Sequence, residues 1–201
     1  MDTSDLIVGH CRGRDILSRT IGWFGGGYFS HSTTLLPCRC HVIDARSDKV
    51  AGIKEGVRIR PVSYLAKYEV VWTRIPCEGW QAQLVYKALR SQLGSDYDKI
   101  GILNFATGQI KDRNWTREME WFCSELVAYS WIKATILPPA IFNSLTPNRL
   151  PPGVVATMAW TLRAAIVNIP FQLQTENTSC PCIVAEKSNL SAHLSRLISQ
   201  R

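Results

Sequence analysis

Two periods of apolar residues alternate along the chain. Leu6 to Val8 is a short apolar run closed by Gly9 and predicts a strand. Phe29 to Leu36, rich in Thr and Leu, stops at Pro37, and Cys40 to Ala45 (CHVIDA) follows at once. This predicts two strands paired across the turn at 37–39. Val57, Ile59 and Val62 mark a further extended piece, and Glu69 to Ile75 (EVVWTRI), ended by Pro76, is the strongest strand signal. Helical spacing shows in ILSRTIGWF, where Asp15 can cap and Gly25–Gly27 break the helix. It returns from Gly79 to Leu93, with Leu84, Ala88 and Leu89 on one face and Gly94 as the stop. A second strong helix is predicted from Phe122 to Ala134, ahead of Leu137-Pro138-Pro139. Tyr97 to Phe105 reads as a turn with a short apolar piece, and Pro138 to Pro152 as a loop.

From Gly153 to Pro170 the chain is largely apolar, interrupted by Arg163 and Asn168. Val155, Met158, Leu162, Ala165, Ile166 and Ile169 fall on one helical stripe, which predicts a helix over 154–169 buried against the domain. A helix lying on a membrane surface or docking a partner is the competing reading. The last thirty residues are polar, with a small amphipathic helix predicted over 189–198.

Composition narrows the class. The chain has 201 residues, 46% hydrophobic and 19% charged, which fits one globular domain and excludes wholesale disorder. The division expected is a domain over 1–152 and an appendage over 153–201 carrying the apolar helix and the polar tail. No apolar run of membrane-spanning length is free of charge and proline. A net charge of +7 is spread along the chain and reads as a solvated basic surface, with weak contact to anionic membranes as its sharpest implication. No helix-turn-helix, zinc-finger spacing or aromatic RNA-binding motif is present, so no specific nucleic-acid partner is expected. The seven cysteines are odd in number, and MDTSDLIVGH lacks a secretory signal pattern. The expectation is reduced thiols in a cytoplasm, with peripheral membrane association as a variant. Cys38/Cys40 and Cys180/Cys182 are C-x-C pairs, short of the usual zinc spacing, so no metal is expected.

Three residues carry candidate chemistry. Cys123 lies in WFCSELVAYSW. If the helix starts beside it, the positive helix end and the free backbone N–H groups favour the thiolate and can bind an oxyanion. If the helix starts upstream at Thr116 (TREME), Cys123 is a buried mid-helix residue. His31 opens FSHSTTLL beside a glycine-rich loop, where a base could work. Asp44 lies thirteen residues on, and pairing of the two strands can place it beside His31 to orient the imidazole. Taken singly, each residue has an ordinary structural reading as well.

Together they match a pattern. The sequence resembles the circularly permuted branch of the papain-like, NlpC-type cysteine hydrolases, the YiiX-like group. The matching pieces run in order over roughly residues 6–152: LIVGH, ILSRTIGWF, FSHSTTLL, HVIDA, GVRIRP, YDKIGIL, WFCSELV and TPNRL. The resemblance implies an α+β fold, with an antiparallel sheet of five to six strands packed against the helix that bears the nucleophile. It implies Cys123 as nucleophile, His31 as general base and Asp44 as the orienting residue, where the family more often has Glu. It implies acyl transfer on an amide or ester, without metal or organic cofactor. Relatives in the superfamily cut peptidoglycan amides or isopeptides, or act on lipids as the lecithin:retinol acyltransferases do. A catalytically inactive binding module on the same fold is the reading from outside the enzymes.

Overall fold

A computed structural model describes residues 6–14, 18–19, 28–99, 120–137, 152–162 and 165–167. Its centre is a six-stranded antiparallel sheet. The strands are β1 (Leu6–Arg12), β2 (His31–Leu35), β3 (His41–Arg46), β4 (Gly56–Pro61), β5 (Glu69–Ile75) and β8 (Ala165–Val167), in the spatial order β4-β3-β2-β1-β5-β8. β6 (Asp96–Tyr97) and β7 (Glu120–Trp121) form a separate parallel pair. Helix α1 spans Gly79–Ser91, α2 spans Cys123–Lys133 and α3 spans Pro152–Thr161. The arrangement is α+β, as expected, and β2 and β3 pair across the short turn.

Strand alternation sorts side chains into two cores. Leu6 and Val8 of β1, Ile43 and Ala45 of β3, and Val57 and Ile59 of β4 pack beneath α1, α2 and α3 with Leu89, Leu126, Trp131 and Val155. Ile7, Cys11, Leu35, Val42 and Trp72 point the other way and meet Val62, Tyr64 and Leu65 from a 3-10 helix over Val62–Lys67. Both faces of the sheet are therefore covered. This has a chemical consequence, because polar residues on the second face are buried too, Asp44 and Arg60 among them.

Each major helix begins where an extended residue turns in. At α1 the Gln81 side chain reaches back and accepts the Glu78 N–H at 2.9 Å. At α2 the Glu125 carboxylate lies 3.5 Å from the Phe122 N–H. Residues 120–121 are extended, so the start of the helix at Cys123 excludes a helix running on from Thr116.

The apolar segment after 152 differs from the expectation of one helix over 154–169. The helix ends at Thr161, and Ala165–Val167 is a strand that pairs with β5, Trp72 opposite Val167. Val155 and Ala159 sit in the helix-side core, whereas Ile166 is 71% exposed on the sheet edge. A short β-branched run beside an open sheet edge gains backbone hydrogen bonds that an extended helix would forgo. Residues 152–162 and 165–167 thus add to the helix-side core and to the sheet. No helix among the described residues is long and apolar enough to cross a membrane. The predicted helix at 16–24 apart from residues 18–19, which are helical, the predicted helix at 189–198, the loop at 138–150, residues 100–105 and the Cys180/Cys182 pair lie outside the described residues.

One backbone position admits no side chain. Gly56 opens β4 with φ +90°, and a Cβ built there would lie 2.3 Å from the Ser95 carbonyl oxygen. Gly56→Ala therefore combines backbone strain with a clash against another backbone, and is expected to cost at least about 2 kcal/mol in denaturant unfolding. An unchanged midpoint would show that the 94–96 turn does not pack on β4.

Candidate active site

Asp44 is the hub. It projects from β3 onto the second face of the sheet, 1% exposed, and each of its carboxylate oxygens is held. Oδ1 accepts the Arg60 Nη1–H at 2.5 Å. Oδ2 accepts the Tyr64 hydroxyl and lies 2.9 Å from His31 Nε2. Burial alone would raise this carboxyl. The hydrogen bond and charge of His31, with Arg60 and Tyr64, overcome it and hold the group down at about 2.

His31 heads β2, and its register explains the contact. Thr34 pairs with Ile43 and Leu35 with Val42, so continuing the ladder by one residue brings Thr33 opposite Asp44. His31 and Thr33 share a face, which makes His31 and Asp44 diagonal neighbours across β2 and β3. The Tyr64 oxygen also lies 3.2 Å from His31 Nε2. Its one proton is given to Asp44, so both neighbours of Nε2 are acceptors there. The imidazole accordingly carries its proton on Nε2 and leaves Nδ1 for the thiol. Burial pulls His31 down, but the Cys123 charge and the bond to Asp44 raise it above its ordinary value.

Cys123 is the first residue of α2, 4% exposed, in a hydrogen bond with His31. Burial would raise its thiol. The His31 charge and hydrogen bond and a bond from the Ser32 backbone bring it below its ordinary value. All three residues expected from the sequence are therefore in one place. The N-terminal N–H groups of α2 lack partners within the helix and surround the sulfur with positive potential.

Four further side chains complete the surroundings. Arg60 is fully buried; beyond Asp44 it donates through Nη2 to the Lys54 and Gly56 carbonyls at 2.7 and 3.2 Å. Arg46 carries Asp48 at 2.8 Å and the Tyr68 hydroxyl at 2.9 Å, and lies over the Tyr64 and Tyr68 rings. Cys11 is the cross-strand partner of His31, and burial pushes its thiol well up, with the Asp44 and Cys123 charges adding to it. Tyr97, paired with Trp121 two residues before the nucleophile, is also pushed well up by burial and by the Cys123 charge.

Sequence reasoning had no role for Arg60 and Tyr64. The alternation in GVRIRP places Val57 and Ile59 inward, which makes Arg58 and Arg60 look solvent-facing. The signal that could have found Arg60 is the buried Asp44 itself, since an ionised carboxylate on a covered face needs a cation. No group of three or more potential metal ligands occurs among the described residues. No protein-family model matches the chain, and no curated protein matches it significantly.

Proposed function

We propose that this protein is a cysteine hydrolase of the permuted papain-like, NlpC-type architecture, acting on an amide or ester through Cys123, His31 and Asp44. The observation that carries the reading is the shared site: a thiol at a helix N-terminus, bonded to a histidine whose other nitrogen is held by a buried carboxylate. The order of the elements supports it, with the histidine strand before the cysteine helix.

In this mechanism the Cys123 thiolate attacks the carbonyl carbon and a C–S bond forms. The carbonyl π electrons move to oxygen, where the N–H groups at the start of α2 receive the oxyanion. Collapse expels the amine or alcohol, which takes its proton from the His31 imidazolium. Water then attacks the thioester carbonyl while His31 accepts its proton. The C–S bond breaks, the acid leaves and the thiolate returns. Asp44 holds the imidazole in the productive tautomer and supports its positive charge.

A lipid substrate is the less favoured reading. Its support in the sequence was the net positive charge and the apolar stripe after 152, and of that stripe Val155 is used in the core with Met158 and Leu162 packed against it.

The test is acyl-enzyme trapping with a panel of activated esters and peptide amides, read by peptide mass spectrometry. Acylation is expected on Cys123 and is lost in Cys123→Ala. Absence of any Cys123 adduct across the panel, or equal acylation of Cys38 and Cys77, would overturn the reading.

A further inference from the structure

We infer that Arg60 and Tyr64 are positioning residues that grip Asp44 by separate oxygens and through it set the tautomer and charge of His31. The inference rests on the hydrolase reading of the site and extends it from three residues to five.

The geometry divides the work. Arg60 takes Oδ1 and Tyr64 takes Oδ2, so the carboxylate cannot rotate without breaking a bond to one of them. Arg60 is itself fixed, because its Nη2 is tied to the Lys54 carbonyl ahead of β4 and to the Gly56 carbonyl at its first residue. A guanidinium suits this place: it stays charged when buried, and its planar fork can serve a carboxylate and carbonyls together. A lysine would offer charge without the fork. Tyr64 does a second task. By giving its only proton to Asp44 it presents oxygen to His31 Nε2, so the imidazole keeps a hydrogen there and turns Nδ1 to the sulfur.

Groups facing this cluster come from every adjoining element. They are Cys11 of β1, Arg46 of β3, Tyr97 of β6 and Cys123 of α2, besides Arg60 and Tyr64 themselves. Cys11, Tyr64 and Tyr97 are held neutral by burial, and Arg46 has Asp48 beside it. Among the described residues, Arg60 is the permanently charged cation hydrogen-bonded to the Asp44 side chain, and His31 joins it when protonated.

Without Arg60 the carboxylate loses its anchor at Oδ1 and can turn from Nε2, while the loss of a buried positive charge by itself strengthens the hold of His31 on its proton. Without the Tyr64 hydroxyl, Oδ2 is free to swing and Nε2 loses one of its two acceptors. The first change raises and the second lowers the pH at which His31 gives up its charge, and both loosen the single tautomer.

The experiment is a nitrogen NMR titration of histidine-labelled full-length protein, reading the tautomer and midpoint of His31. It is paired with the rate of Cys123 alkylation by iodoacetamide at pH 6. Arg60→Met is expected to raise the His31 midpoint by about one unit, to mix the tautomers and to slow Cys123 alkylation severalfold through the misplaced imidazole. Tyr64→Phe removes one hydroxyl and keeps the ring, so it provides a folded comparison should Arg60→Met fail to fold. It is expected to lower the His31 midpoint, to slow alkylation and likewise to mix the tautomers. Arg60→Lys should recover the midpoint in part and the single tautomer less, since it restores charge alone. Wild-type titration at or below the ordinary histidine value, with unreactive Cys123, would defeat the hydrolase reading itself. A wild-type ion pair that persists with unchanged tautomer and midpoint in folded Tyr64→Phe and Arg60→Lys would overturn the clamp and leave the hydrolase reading standing.

Discussion

At pH 6, Cys123 is expected to alkylate about tenfold faster than Cys38 or Cys77, and His31→Ala to remove that advantage. The magnitude follows from two opposed effects. An ordinary thiol is only about 0.3% thiolate at pH 6. One held as an ion pair with imidazolium is mostly ionised, a gain on the order of 100-fold in reactive species. A more acidic thiol is a weaker nucleophile, with a Brønsted slope of about 0.4–0.5, and this takes back part of the gain. The pH profile adds a second signature. Between pH 6 and 8 the rate of an ordinary thiol rises about tenfold per unit, whereas the Cys123 rate should stay nearly flat. Cys11 should be slowest, since it is fully buried and its thiol is pushed up. Iodoacetamide suits the measurement because Cys123 is only slightly exposed and a bulkier reagent would report access instead of charge. A Cys123 rate no greater than that of Cys77 would mean a buried structural cysteine.

Asp44→Ala is expected to cost about 3–5 kcal/mol of stability, more than its role as an orienting residue would require. The reason is Arg60, which is fully buried and would be left facing the space vacated by the carboxylate. Removing one partner of a buried ion pair leaves the other without compensation, and that penalty exceeds what the intact pair contributes. Asp44→Asn keeps the shape and one acceptor oxygen and should fall between alanine and wild type.

The same residue gives wild-type protein an acid limb. The Asp44 carboxyl is held at about 2 in the folded state against 3.8 ordinarily. Its contribution, roughly 2 kcal/mol, is complete above about pH 4 and is lost as pH falls from there towards 2, where the unfolded chain binds the proton first. His10 acts in a different window. Burial lowers it to about 4, with Nε2 against the Thr73 hydroxyl, so its contribution is lost as pH falls from about 6.5 towards 4. Chemical denaturation at a series of pH values should show both slopes in wild type; in Asp44→Ala the slope below pH 4 should shrink to the share of Asp48, which Arg46 holds down against burial. Retention of the full slope below pH 4 in that variant would assign it to another carboxylate.

The hairpin of β2 and β3 was legible because turn residues and β-branched runs are local signals, and the placement of Asp44 beside His31 followed from strand register alone. The start of α2 at Cys123 was not decided by pattern, since TREME offers an equally good local cap. Pairing of Asp96 with Glu120 and of Tyr97 with Trp121 keeps residues 120–121 extended, and that contact is non-local. The stripe after 152 misled for the opposite reason. Its apolar positions satisfy a helix well, but the open edge of β5 competes for Ala165–Val167, and local periodicity cannot register a distant sheet edge. Arg60 and Tyr64 were hidden because an arginine on the polar side of a strand and a tyrosine in a short turn look like surface until the second face is known to be covered.

The two halves of the site also differ in how far the chain must travel to make them. His31, Arg60 and Tyr64 reach Asp44 across separations of 13, 16 and 20 residues, all within neighbouring strands and the turn after them. Cys123 comes from much later in the chain, and closing that longer loop costs roughly 1–2 kcal/mol more in chain entropy. The base and its supports can therefore assemble as a local unit, whereas the sulfur joins only when α2 docks on the sheet. Until that docking the thiol is an ordinary, mostly protonated cysteine. A nascent or partly unfolded chain is thus spared a reactive thiolate, and the reactivity of Cys123 becomes a chemical report that the last long-range contact has closed.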